Sequence, residues 1–173
     1  MNLWEFDYKY NRKLLLKEAE GNGYEPFTDI GNGSDEPFQD WKIKHLDLQG
    51  KVIQFYKDSR ILVSDADDCP YALEIAKYFV KRTGFMCSPR FYFQKKGFSL
   101  PLHRDRGTEC SVNFVLGDDP DPIRFKDEEL VYTTGLLNTQ SLHGVEATKD
   151  RYLYKLSFKD NTFDEVMKRL SET

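Results

Sequence analysis

The sequence is short of cysteine, of net basic charge and of long apolar runs, and each shortage removes a class of protein. Its three cysteines, Cys69, Cys87 and Cys110, are odd in number and widely spaced. With no Cys-x-x-Cys pair, neither a zinc knuckle nor a disulfide framework is expected, and the three read as buried thiols in a reducing cytoplasm. Lysine plus arginine total 25 against 29 aspartate plus glutamate, a net charge of −4. A generic nucleic-acid binder carries the opposite balance, so nucleic acid is not the expected partner. No apolar stretch approaches the roughly 20 residues of a membrane span. The opening Met1-Asn2-Leu3-Trp4-Glu5-Phe6-Asp7 lacks the basic and apolar regions of a secretory leader. The expectation is a cytoplasmic protein with no membrane partner.

What the sequence does have is aromatic surface: 13 Phe and 10 Tyr, which pack well on pleated sheets and predict a sheet-rich core. A chain of 173 residues with 39% hydrophobic content suits one domain over residues 1–173. Residues 10–20 predict a short helix stopped by Gly21-Asn22-Gly23, and a turn-rich loop follows to about Phe38. Two or three strands are expected within Trp41–Val63, with Gln49-Gly50 as a turn. Ala72, Ile75, Ala76, Phe79 and Val80 recur at helical spacing between Pro70 and Gly84.

From Pro89 the texture changes to short strands: 90–94, 100–105, 110–116, 123–126, 129–133 and 151–158. Turn clusters separate several of them, Lys95-Lys96-Gly97 and Asp118–Pro122 among them. Thr162-Phe163-Asp164-Glu165 is a capping box, opening a last helix with Phe163, Val166, Met167 and Leu170 on its apolar face. The predicted architecture is mainly β with flanking α-helices around a barrel-like or sandwich core. Residues 86–158 form the core and 161–172 the C-terminal helix. Residues 1–85 support the barrel and its substrate side.

His103-Arg104-Asp105 falls where a strand is expected, and residues two apart on a strand project from one face. His143, from a distant strand, would complete a two-His, one-carboxylate triad, which leaves three metal positions open. Taken alone, His-x-Asp fits a surface ion pair beside a turn equally well. On the last strand Arg151, Leu153, Lys155 and Ser157 share one face, and Tyr152, Tyr154, Leu156 and Phe158 the other. If the first face points inward, Arg151 is a buried cation in need of an anion. A dicarboxylate would supply one, as would a salt bridge to Glu146 or Asp150. His45, among Trp41, Ile43 and Leu46, reads as structural. Arg90, Lys95, Lys96, Arg104, Arg106 and Arg124 give this half a local basic character that would favour an anionic substrate if several line a mouth.

The segment from about Arg90 to Phe158 resembles the 2-oxoglutarate/Fe(II)-dependent oxygenase superfamily. The run from Tyr92 through Gly97 to His103-Arg104-Asp105 looks like its strand, glycine turn and His-x-Asp strand. Leu142-His143-Gly144-Val145 followed by Arg151-Tyr152 looks like its distal-histidine and arginine signature. The resemblance implies a double-stranded β-helix (jelly-roll, cupin-like) fold, with iron on His103, Asp105 and His143 as the catalytic centre. It implies Arg151 on the distal carboxylate of 2-oxoglutarate, molecular oxygen as a further co-substrate, and release of succinate and CO₂ as a C–H bond is hydroxylated. Asn113, which shares a face with Ser111 and Val115, reads as a second co-substrate contact or as an edge-capping amide. Tyr92 and Gln94 stand where the family often supplies co-substrate hydrogen bonds, and Tyr92 also suits plain aromatic core.

Within the superfamily the chain is similar to aspartyl/asparaginyl and prolyl hydroxylases and to compact phage-type members, the last of which would imply the host cytoplasm. The first of these often lacks the carboxylate ligand that Asp105 would provide. The implied substrate is a small molecule or a peptide side chain. A nucleic-acid demethylase would need a basic, aromatic-lined surface, and a non-catalytic binding barrel would have no need of the triad and Arg151 together.

Overall fold

The computed structural model describes residues 1–26, 61–105 and 107–172. Chain alternation between two antiparallel sheets sets its architecture. The larger sheet holds β1 (Leu3–Glu5), β2 (Glu25–Pro26), β3 (Ile61–Asp65), β4 (Ser88–Gln94), β6 (Cys110–Val115), β9 (Thr134–Leu137) and β11 (Arg151–Phe158), in the order β1-β9-β6-β11-β4-β3-β2. The smaller sheet holds β5 (Ser99–His103), β7 (Ile123–Phe125), β8 (Glu129–Leu130) and β10 (His143–Glu146), in the order β5-β10-β7-β8. From β4 to β11 the chain crosses between sheets at every connection except the β7–β8 hairpin. That eight-strand path is a double-stranded β-helix, the fold expected from the sequence.

Helices cover the outer face of the larger sheet. In α2 (Pro70–Thr83) the stripe of Ala72, Ile75, Ala76 and Phe79 is buried in one cluster with Phe91, Phe114, Tyr154 and Phe158. The alternation in β11 divides its side chains as predicted: Tyr154, Leu156 and Phe158 are fully buried in that cluster. The Tyr154 hydroxyl donates to the Ala72 carbonyl at 2.6 Å. A smaller cluster of Val115, Ile123, Leu137 and Val145 lies between the sheets. Residues of β6 are buried along the whole strand, because one face meets the helices and the other the interior.

Helix ends follow local chemistry. The Thr162–Glu165 capping box forms, opening α3 (Phe163–Ser171). The first helix, α1, runs Arg12–Gly21 with Asn11 as its cap, slightly later than the expected start. Cys69 gives α2 no side-chain cap. Instead the Glu18 carboxylate of α1 accepts from the Tyr71 and Ala72 amides at 2.9 and 2.8 Å. A carboxylate there satisfies two orphan donors and opposes the helix dipole. Glu18→Ala should therefore cost about 1–2 kcal/mol, read from the urea midpoint.

Several sequence expectations change. The strand predicted to run through Asp105 ends at His103. The stretch 129–133 is strand only over Glu129–Leu130. Strands β1 and β9, which pair with each other, had no clear sequence signal. The Gln49-Gly50 turn, His45 and most of Trp41–Val63 lie outside the described residues. All three cysteines are free thiols, and burial pushes Cys69 up to about 11 and Cys87 and Cys110 to about 12. Among the described residues no helix is long and apolar enough to cross a membrane.

Candidate metal centre

A cavity of about 610 Å³ opens between the sheets, lined by the inward faces of β4 and β11 and by His103, Asp105 and His143. His103 and His143 are direct cross-strand partners in β5 and β10. That register sets the imidazoles side by side, with ring centroids 4.5 Å apart and both residues buried. A register shift in β10 between His143 and Val145 marks a local irregularity at this point.

Asp105 reaches the same spot by a route that strand periodicity does not predict. It stands two positions beyond His103, but it lies in the loop past the strand end. The loop before β10 ties it down. Its amide donates to the Thr139 carbonyl at 3.1 Å, and Gln140 Nε2 donates to the carbonyls of Asp105 and Thr108 at 3.1 and 2.7 Å. The Thr139 hydroxyl donates to the Thr108 carbonyl at 2.6 Å. Sequence reading missed this clamp, since nothing in Thr139-Gln140 announces a partner in a loop some thirty residues earlier.

Asp105 Oδ1 lies 3.3 Å from Nε2 of each histidine. Two ligand atoms on bonds of about 2.1 Å stand about 3.0 Å apart at a right angle and about 3.4 Å apart at a tetrahedral one. His143 Nδ1 is 2.7 Å from the Ser141 carbonyl, which can only accept, so Nδ1 carries the proton and Nε2 turns a lone pair toward Oδ1. Burial, and then the neighbouring His103, lowers the pKa of His143 and favours this neutral form. Two lone pairs meeting at such a distance repel unless a cation lies between them. His103, Asp105 and His143 could hold one metal ion.

The other oxygen of Asp105 is engaged by Lys155, whose Nζ lies 2.5 Å from Oδ2. Burial alone would raise the Asp105 pKa, but the Lys155 ammonium holds it well below the ordinary value. Burial pulls Lys155 down, and Asp105 more than reverses that. Sequence reading placed Lys155 on the inward face without asking for its counter-ion, although the argument used for Arg151 applied equally.

Arg151 is half-buried as a residue, but its guanidinium Nε is enclosed and the group is poorly satisfied. Its Nε has no hydrogen-bond partner among the described residues, and its Nη1 reaches Gln94 Oε1 only at 3.5 Å. Burial lowers its pKa, with Tyr132 and Asp121 opposing. The two salt-bridge partners considered from sequence are used elsewhere: Glu146 pairs with Arg124, and Asp150 accepts from the Lys96 amide. Asp121 is occupied by the amide and hydroxyl of Thr148. Gln94 Nε2 donates to the Phe98 and Val145 carbonyls, so Gln94 holds the glycine turn as well as backing Arg151. In that turn Gly97 has φ +87°, a conformation that favours glycine.

Asn113 sits inside the barrel in a buried polar chain. The Ser111 hydroxyl donates to Asn113 Oδ1 at 2.8 Å, and Asn113 Nδ2 donates to the Tyr132 hydroxyl at 3.0 Å. It is not the edge-capping amide that sequence also allowed. Tyr132 beside Arg151 was missed, because its spacing to Asn113 carries no motif. Asn113→Ala would strip partners from two buried hydroxyls and should cost about 1–3 kcal/mol in the metal-free protein, measured by denaturant unfolding. Tyr92 lines the cavity, its ring centroid 5.6 Å from Lys155 Nζ. Of the six basic residues noted in the sequence, Arg90 lines the cavity and also pairs with Asp65. Arg104 bonds the Gln140 carbonyl, and Arg106 lies outside the described residues.

Neither a protein-family model nor a curated protein sequence matches the chain. Among solved structures, an oxidoreductase of the 2OG-Fe(II) oxygenase family from Burkholderia pseudomallei is similar with a TM-score of 0.45 and 14% identity, over 87% of this chain and 79% of that one. Salicylate 1,2-dioxygenase from Pseudaminobacter salicylatoxidans is similar with a TM-score of 0.35 and 14% identity, over 49% of this chain. The match spans only 23% of that dioxygenase. Likenesses this distant are of general shape, and the site is read from its own geometry.

Proposed function

We propose that the chain is an Fe(II)- and 2-oxoglutarate-dependent dioxygenase, hydroxylating a small metabolite or a peptide side chain with release of succinate and CO₂. One observation carries the reading. The cavity that holds the three candidate ligands also holds a buried guanidinium with no carboxylate partner among the described residues.

Two imidazoles and one carboxylate with open positions suit non-haem iron. Iron held there supplies the redox chemistry that no side chain of the protein can perform. The chain does the rest by placement. His103, Asp105 and His143 hold the ion, the clamp of Thr139 and Gln140 fixes Asp105, and the Ser141 carbonyl sets the tautomer of His143. Arg151 takes the far carboxylate of the co-substrate through parallel hydrogen bonds, with Gln94 and Tyr132 orienting it. Asn113 acts on the co-substrate through Tyr132. Ile123, Leu137, Val145 and Leu153 give this part of the cavity an apolar wall that limits water. The setting is cytoplasmic and the substrate a small molecule or peptide. An excess of acidic residues disfavours nucleic acid.

Anaerobic addition of 2-oxoglutarate to the Fe(II)-loaded protein tests this directly. A visible charge-transfer band requiring both components is expected, then succinate release with members of a metabolite and peptide panel. A protein that binds Fe(II) but shows no band, and no 2-oxoglutarate binding by calorimetry, refutes the co-substrate assignment.

A pH dependence follows from His143. Its lowered pKa keeps the metal-ready neutral form below the usual imidazole value of about 6.5. Fe(II) affinity should stay level from about pH 8 to 6.5 and fall only below that, as protons displace the metal. An affinity already falling between pH 8 and 7 contradicts it.

A further inference from the structure

One buried cation at the metal centre has no place in the ligand set. Lys155 stands on the inward face of β11, directly opposite Asn113 of β6. Its Nζ is 2.5 Å from Asp105 Oδ2, while both imidazole Nε2 atoms face Oδ1. The two side chains are only 13% and 14% exposed. The carboxylate is thus divided, one oxygen for the histidine cluster and one for the ammonium.

We infer that Lys155 is a positioning residue that confines Asp105 to a single metal bond and thereby keeps a third coordination position open. The inference rests on the proposed metal site. A carboxylate can bind a cation through one oxygen or both. Three protein atoms on an octahedral ion leave three positions, and a chelating Asp105 would leave two. A co-substrate bound at two points, together with oxygen, needs three. For Oδ2 to turn to the metal it would have to leave Lys155, stranding a buried cation. A charge-assisted bond resists that exchange better than a neutral donor would.

Lys155 is no duplicate of Arg151. The two stand four residues apart on one face of one strand, about 13 Å along the backbone. Lys155 meets a ligand carboxylate, whereas Arg151 lacks one.

Counting exchangeable waters on Mn(II) bound to the full-length protein tests this without 2-oxoglutarate. Water-proton relaxation and EPR line broadening in ¹⁷O-enriched water both give the count. Three waters are expected for the wild type and two for Lys155→Met, a loss of about one third of the inner-sphere relaxivity. Lys155→Arg should restore three.

Three waters retained by Lys155→Met, or two on the wild type, overturn the inference, as does a wild type that binds no Mn(II). If Lys155→Met does not fold, the wild type alone decides. The infrared carboxylate splitting of the ¹³C-aspartate-labelled Mn(II) protein should be the wide one of single-oxygen binding, and a narrow chelate splitting overturns the claim. A missing charge-transfer band alongside three waters would sink the dioxygenase reading and leave the role of Lys155 standing.

Discussion

His143→Ala is expected to weaken Fe(II) binding by at least about a hundredfold and to remove the charge-transfer band with 2-oxoglutarate. Loss of an outer-shell partner alone typically weakens metal binding 10–100-fold, and loss of a ligand should exceed that. The substitution leaves His103 and Asp105 in place, so the remaining pair offers two donors where a stable site needs three. Burial of His143 makes water a poor substitute, because the site is mostly closed to solvent. Anaerobic titration followed by the visible band would measure the change. Full-strength binding in the variant would remove His143 from the ligand set and with it the proposed centre.

Arg151→Met should separate stability from function. In the wild type the guanidinium has an unpartnered Nε and a long contact to Gln94, with only Tyr132 and the already engaged Asp121 offsetting its burial. A poorly compensated buried cation is costly, so an unbranched apolar side chain there should leave the metal-free protein equally stable or more stable by about 1 kcal/mol. Binding of 2-oxoglutarate should move the other way. Removing one partner of a buried charged pair costs about 2–5 kcal/mol, which is about 30-fold to several thousand-fold in Kd. Calorimetry with the Fe(II)-loaded variant would read the affinity, and chemical denaturation the stability. If the variant is destabilised by several kcal/mol and still binds 2-oxoglutarate normally, Arg151 is a structural residue and the co-substrate assignment falls with it.

Much of this was legible in the sequence because it rests on short-range regularity. Period-two alternation in residues 151–158 identified which side chains enter the cavity and which meet the helices. The capping box at Thr162 and the glycine turn at Gly97 are local statements, and both hold. The convergence of His103 and His143 was reached by resemblance to a known signature. Its physical basis is the cross-strand register of β5 and β10, which no single segment encodes.

Illegible parts share one cause. Asp105 was expected to share a strand face with His103, yet tertiary bonds to Thr139 and Gln140 place it instead. Lys155 was visible on the correct face, but its partner depends on where that loop carries Asp105. Tyr132 meets Asn113 and Arg151 only once two sheets have closed. Strand β9 begins Thr134-Gly135, a weak local signal rescued by pairing on both sides, with β1 and β6.

The loop clamp joining Asp105 and Thr108 to Thr139 and Gln140 makes the centre a junction between segments far apart in the chain. An ion seated there would behave as a removable cross-link, absent from the unfolded ensemble and tightening only the finished barrel. Chelation would then report on closure of the whole β-helix, and a chelator would loosen the very seam along which the two sheets are stitched.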